Sequence, residues 1–347
     1  VSAPVTAVDA LRRVRRQRRR LAVVVPTLLL GLAALLGLLA LCLGSVRLSI
    51  DQVLASLLGT RDNPAVDFIV HDLALPQVKA AVGVGIALGA AGTIFQQLLR
   101  NPLASPDFVG ISAGASVVAV AGIATPALAG LSIPVLALAG ALVFAAAMYL
   151  LAWRDGISGY RFILIGIGMS ALATGITGYL LTRTSLTEAR EALHWLTGSI
   201  GQAGDAENDA LLWALLVLAP VAPLLQRMLR TIELGDDTAR GLGTRLEPTR
   251  LALIGVAVLL TALATAVAGP ITFVALVAGP VADRLLGTAR GSILAAGAVG
   301  AILCLVADHV AVNVLPVELP TGVVTGAVGA PYLLWLIATT NRRGMGG

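Results

Sequence analysis

Between two long apolar tracts stands "ELGDDTARGLGTRLEP", residues 233–248. Six of its sixteen residues are charged and three are glycine. The flanking tracts are rich in alanine, leucine and valine and reach the roughly 20 residues a helix needs to cross a bilayer's hydrocarbon core. A charged insert fenced by two such tracts is a loop between membrane spans, and that reading sets the class of the chain. Working outward, the 347 residues are 57% hydrophobic and 12% charged, with a mean hydropathy of +0.91. Soluble domains carry about 25% charged residues, so a soluble protein is excluded. No tract alternates as a barrel strand does. The fold class is an all-α polytopic membrane protein.

Ten spans are read near 21–43, 77–99, 107–130, 132–153, 160–182, 208–226, 250–268, 271–287, 290–311 and 319–338. An even number places both termini on one side, and lysine and arginine mark the cytoplasmic side. Of 24 cations only Arg47, Arg61, Lys79, Arg183 and Arg190 fall outside, and the other nineteen fall inside. The expected location is the cytoplasmic (inner) membrane, multi-pass, with cytoplasmic termini. Residues 1–20 form an arginine-rich cytoplasmic arm containing "LRRVRRQRRR". The run 21–43 is too long for a signal-peptide core and lacks a small-x-small cleavage site, so it reads as an uncleaved first span. Residues 21–340 are one ten-helix domain, with 341–347 a cytoplasmic tail.

The second span, "AVGVGIALGAAG", carries Gly83, Gly85, Gly89 and Gly92; small residues let helices approach closely in lipid, so a central, tightly packed helix is expected. After it "RNPLASPD", residues 100–107, must turn because Pro102 and Pro106 break a helix. Two readings stand here: a plain turn, or one facing a conduit. On the outer side, residues 183–207 hold a short surface or half-inserted helix from Glu188 to Leu196 ending near Gly198, with Trp195 as an interface anchor. Cys42 and Cys304 read as small buried residues rather than a disulfide or metal pair. His71, His194 and His309 are scattered without a second ligand at helical spacing, so no metal site is expected.

The opening insert falls on the cytoplasmic side. Leu234-Gly235 make a turn, Asp236 and Asp237 favour a helix N-terminus, and Ala239 and Leu242 are spaced to share a face. Gly241 and Gly243 end that helix, and a second short helix follows, so helices are expected across about 234–248. Docking into a groove of a soluble partner and a solvated loop capping its neighbours fit equally on these grounds. The chain has no phosphate-binding loop, and its one lysine, Lys79, is not in such a motif. Apart from Asp308, no carboxylate is clearly placed inside a span, which disfavours ion coupling.

Four motifs in order, "RNPLASPDFVGISAGAS", "ELGDDTARGLG", "GPITFVALVAGP" and "ELPTGVVTGAVGAPYLLWL", closely resemble the FecCD-type permeases of ABC importers for ferric siderophores, haem and cobalamin. The likeness runs from about residue 25 to 340. It implies a type II, cobalamin-permease-like fold with ten spans and a second permease subunit. Two cytoplasmic ATPase subunits would use ATP and Mg, and an extracytoplasmic substrate-binding protein would deliver cargo. This chain itself would hold no cofactor and no catalytic residue, and no nucleic acid is a partner. By the same resemblance Leu234, Gly235, Asp236, Asp237, Ala239, Arg240, Leu242 and Gly243 couple to the ATPase. Ser158, Gly159 and Tyr160 stand at the cytoplasmic gate, joined along the path by Asn101, Pro102 and Leu103, while Glu318, Pro320 and Gly322 match the entry to the last span.

The departures concern docking. Where the family shows Arg-Leu-Pro-Arg this chain has Ala74, Leu75, Pro76 and Gln77, a later arginine is Val312, and Gly279-Pro280 replaces Pro-His. Lys79, Arg183 and Arg190 are the substitute docking candidates, or a non-identical partner permease carries the charges, which favours a heterodimer. The function expected is import of a ferric siderophore; the alternatives are a haem or cobalamin importer, or a secondary carrier.

Overall fold

The computed structural model describes residues 7–44, 46–60, 63–107, 110–125, 130–153, 159–202, 204–287 and 291–344. "Inner" below denotes the end of the bundle where the cations concentrate. In chain order the helices are α1 (Ala7–Cys42), α2 (Ile50–Leu57), α3 (Pro64–Asp67), α4 (Leu75–Leu98), α5 (Ile111–Ala124), α6 (Ile133–Ala152), α7 (Gly159–Leu181) and α8 (Leu186–Thr197). Then come α9 (Asp205–Leu218), α10 (Ala222–Glu233), α11 (Asp236–Gly241), α12 (Leu246–Ala268), α13 (Val274–Leu286), α14 (Ile293–His309) and α15 (Thr321–Gly344). Two π-helical stretches, Phe68–Ala74 and Val310–Val314, lead into α4 and out of α14 at the outer end. Among the described residues there is no sheet strand, only an isolated bridge between Leu43 and Arg47.

Each of the ten expected spans contains a helix, but they are not ten equal cylinders. Among the described residues six segments are long and apolar enough to cross by themselves, and α9 with α10, taken as one span bent by 65°, makes a seventh. The bend falls where Pro220 and Pro223 remove backbone donors, and α10 then continues to Glu233, past the expected end at 226. At the other three positions stand α5, α13 and the apolar part of α15, which are shorter. Residues 7–20 of the expected arm are helical and continue into the first span as α1. Arg12, Arg16 and Arg20, one turn apart, are exposed on it.

The glycine helix is the centre, as its composition requires. α4 packs against α14, α12, α13 and α9. A β-carbon at Gly85 would overlap the Gly300 carbonyl of α14, one at Gly89 the Ala296 carbonyl, and one at Gly92 the Ala275 carbonyl of α13. Backbone-to-backbone approach replaces the hydrophobic drive that lipid does not supply.

The outer helix α8 begins at a capping box: Glu188 N donates to Ser185 Oγ at 3.3 Å, and Ser185 N donates to Glu188 Oε2 at 2.9 Å. It ends at Gly198, whose φ is +70°. Trp195 does not anchor at an interface. It is 8% exposed and belongs to the main core, because α8 lies on the bundle, touching α5 and α15. Cys42 and Cys304 are both buried and unpaired, as expected.

Candidate coupling site and inner cavity

The insert folds as one helical turn and a half set on the inner end. Gly235, with φ +100°, turns the chain out of α10, and Asp236 and Asp237 occupy the first turn of α11, where the exposed amides favour carboxylates. Gly243, with φ +82°, ends it. The second short helix expected near 246–248 is instead the first turn of α12, which runs unbroken from Leu246 to Ala268. Pro248 is tolerated there because first-turn amides have no intrahelical partner to lose.

The eight insert residues divide into two faces. Ala239 is fully buried. Asp236 accepts two hydrogen bonds from Arg250 of α12, at 2.8 and 2.9 Å, and lies 3.6 Å from Arg100 at the end of α4. Arg250 also meets Glu247 at 3.4 Å. Asp236 therefore faces the permease itself. Toward solvent stand Leu234, Leu242 and the Asp237–Arg240 ion pair, 3.1 Å apart. Ala239 and Leu242 do not share a face: Leu242 lies past the last helical residue and is 64% exposed. Arg100 and Arg250 were not singled out by the sequence reading. The only local hint was an arginine closing each adjoining charged turn.

Beside the insert the inner end opens into a cavity of about 620 Å³. Arg100, Asn101 and Pro102 line it, with Gln96, Gln97 and Thr93 of α4, Glu233 of α10 and Gly279 to Gly287 along α13. The 100–107 segment is a turn, and part of it borders this cavity. It is a hydrogen-bonded turn, with Leu103 N donating to Asn101 Oδ1 at 2.9 Å and the hydroxyls of Ser105 and Ser112 donating to Asp107 at 3.1 and 2.8 Å. Its first three residues also form a cavity wall, whereas Leu103 does not reach that wall. Of the other gate candidates, the two described ones do not line the cavity. Ser158 is outside the described residues, Gly159 opens α7, and Tyr160 is 79% exposed away from the cavity lining. The start of α7 is nonetheless tied to α4 through the Phe162–Phe95 stack, with centroids 6.3 Å apart.

At the outer end Lys79 and Arg190 are exposed, and Arg183 lies over the Tyr179 ring at 5.4 Å. Lys79 sits on α4 while Arg183 and Arg190 flank and occupy α8, so they form no single cluster in sequence or element. Gln77, where the resemblance expects an arginine, is engaged internally. Its Nε2 donates to Asp308 Oδ2 at 2.9 Å, and Thr321 Oγ1 donates to Asp308 Oδ1 at 2.9 Å. Thr321 in turn accepts from Ile200 N at 3.3 Å. The entry motif around Gly322 has a packing reason: a β-carbon there would overlap the Thr197 carbonyl. Gly322 N donates to Gly198 O at 2.9 Å, joining α15 to the end of α8.

The chain is thus a helical membrane bundle with a packed central glycine helix and a short insert helix at its inner end. A solved metal-chelate type ABC transporter in an inward-facing conformation has the same fold, with a TM-score of 0.78 over 90% of this chain and 97% of that one, at 24% identity. The chain belongs to the FecCD transport family, whose model matches residues 32–339. Among curated relatives it is 41% identical to the ferric enterobactin transport system permease protein FepG of Escherichia coli (strain K12), over 91% of this chain and 96% of that protein. It is 40% identical to the achromobactin transport system permease protein CbrC of Dickeya dadantii (strain 3937), over 89% of each. It is 35% identical to the Fe(3+)-citrate import system permease protein YfmE of Bacillus subtilis (strain 168), over 95% and 98%. As a member of this family it is a multi-pass transport permease and not an enzyme.

Proposed function

We propose that this chain carries a ferric siderophore across the cytoplasmic membrane as one permease subunit of an ABC importer, with both termini in the cytoplasm. Two separate ATPase subunits would consume ATP and Mg, and an extracytoplasmic binding protein would present the cargo. The observation that carries the coupling role is the division of α11: its inward side is occupied by Ala239, Asp236 and Arg250, while Leu234, Asp237, Arg240 and Leu242 face solvent. A short helix offering apolar knobs between charges suits a groove on a soluble partner. A ferric chelate as cargo is supported by the relatives named for ferric enterobactin and Fe(3+)-citrate. The cavity walled by Arg100, Asn101 and Pro102 suits the inner part of the path, with the start of α7 as a second gate element.

A secondary carrier needs a free intramembrane carboxylate. Both oxygens of Asp308 accept hydrogen bonds, from Gln77 and Thr321, which favours a role in tying α4, α14 and α15 together. Because Gln77 is used internally and Val312 is uncharged, Lys79, Arg183 and Arg190 or a non-identical second permease would meet the binding protein.

Uptake of a ferric siderophore into proteoliposomes tests this. Accumulation is expected only with the ATPase subunits and internal ATP, and accumulation by the permease alone would overturn the reading. Arg240→Glu, on the outward face, is expected to weaken co-purification of the ATPase.

A further inference from the structure

We infer that Arg100 is the positioning residue through which movement of α11 reaches the central helix α4, an inference resting on the ABC-importer reading above. α11 packs on α10 and α12, and both of these pack in turn on the central α4. Arg100, two residues past the end of α4, adds a direct side-chain link to the insert. Its Nη2 donates to the Ile232 carbonyl at the end of α10 at 2.9 Å and lies 3.6 Å from Asp236 Oδ1 at the start of α11. One guanidinium therefore touches both ends of the hinge around Gly235. A cation is favoured at a helix C-terminus and a carboxylate at a helix N-terminus, so Arg100 and Asp236 lock the two elements at a point where their dipoles meet.

The local backbone supports this placement. Arg100 has φ +50°, in the left-handed region that is unfavourable for a residue with a β-carbon. The side chain is thereby directed across the hinge while Asn101 and Pro102 continue along the cavity wall. What lies behind Arg100 is stiff: the close approaches at Gly85, Gly89 and Gly92 leave α4 no room to slide unless α14 and α13 follow. A displacement of α11 passed to Arg100 thus moves a rigid element, and Arg100 itself lines the inner cavity.

Magnitudes separate this role from a merely structural one. The Arg100 and Asp236 side chains are 52% and 37% exposed, and pairs so open to water contribute little to stability. Arg250, 16% exposed and donating through Nη2 to both oxygens of the same carboxylate, holds Asp236 to α12 without Arg100. Losing Arg100 leaves the fold and the insert in place, with α10 and α12 still packed on α4, and removes the direct side-chain link from Asp236 to the end of α4.

The test uses the assembled transporter, with ATPase subunits and binding protein, in proteoliposomes. Arg100→Asn is the variant of choice because asparagine tolerates the left-handed region. Its complex is expected to assemble and to hydrolyse ATP as wild type does, while siderophore imported per ATP hydrolysed falls roughly tenfold, within the range of site-to-site coupling. Arg100→Lys, which keeps the charge but not the fork, is expected to fall between the two. Wild-type import per ATP in Arg100→Asn would overturn the inference, and so would loss of assembly and thermal stability in step with import. Arg240→Glu serves as the second arm. If it weakens ATPase co-purification while Arg100→Asn imports normally, only this inference fails. If wild type imports without any ATPase, the importer reading fails and takes the inference with it.

Discussion

Gln96 repairs a defect made 180 residues away in the chain. Pro280 lies inside α13 and has no N–H, so the carbonyl four residues earlier, Leu276, loses its helical donor. Leu276 is buried, so water does not replace that donor. Gln96 Nε2 donates to Leu276 O at 3.0 Å, and the glycine beside Pro280 makes room: a β-carbon at Gly279 would overlap Gln96 Oε1. Gln96→Leu should therefore lower stability by about 1–3 kcal/mol, the penalty for a stranded buried polar group. In Gln96→Leu/Pro280→Ala the helical N–H returns, and thermal unfolding in detergent should recover most of the loss. A loss unchanged by the second substitution would show that the amide acts otherwise. The same accounting explains Gln226, whose amide donates to Gly291 O at 3.1 Å and accepts from Ile293 N at 2.9 Å, closing the start of α14.

Among the elements, α4 and α8 make opposite demands. α4 needs absence of side chains, and its glycines are not equivalent. A methyl at Gly92 meets the backbone of Ala275, which cannot give, whereas at Gly83 the nearest atom is Leu211 Cδ2 at 3.1 Å, the end of a flexible side chain. Gly92→Ala should destabilise by upwards of about 3 kcal/mol, the upper end for overpacking, and Gly83→Ala by clearly less. Equal melting temperatures for the two would refute that ranking. α8 instead depends on its cap. Glu188 is held below the ordinary glutamate value of 4.5 by the Ser185 backbone N–H and then by the Ser185 hydroxyl. The cap is thus fully formed above that value and is lost as pH falls through the lowered one. Hydrogen exchange in the first turn of α8, corrected for intrinsic rates, should accelerate on acidification. Glu188→Gln should remove that pH dependence.

Across the whole molecule, two helices are equally open, with 17% of their apolar windows buried, yet they differ in kind. α1 shows Val23, Leu28, Leu32 and Leu35 outward, which suits acyl chains. α7 exposes Leu164, Ile167, Leu172 and Tyr179 as well, but it also shows Gly168, Ala171, Gly175 and Gly178 at spacings of three and four, and nothing lies within 4 Å of a β-carbon at Gly168, Gly175 or Gly178. Small residues on an open membrane helix suit another helix, in keeping with the second permease subunit proposed above. Gly175→Cys, against cysteines placed on the partner permease, should cross-link within the assembled pair, while a cysteine at Leu28 should not. The reverse pattern would place lipid against α7.

The sequence alone determined the solvent, the existence and order of the helices, the packed glycine helix and the site of the inner insert. Run length, glycine and proline placement and charge asymmetry are local quantities that the bilayer reads directly. Only the tertiary structure decided which way those elements face. It put Trp195 in the core, gave Asp236 to Arg250 and Arg100 of the permease itself, set Gln77 on Asp308, and merged the expected second insert helix into α12. Apart from that merger, which is local, each of these depends on a contact between segments distant in the chain. The partner of a buried carboxylate or a freed carbonyl is fixed by which helices pack together, and nothing in the flanking residues encodes that.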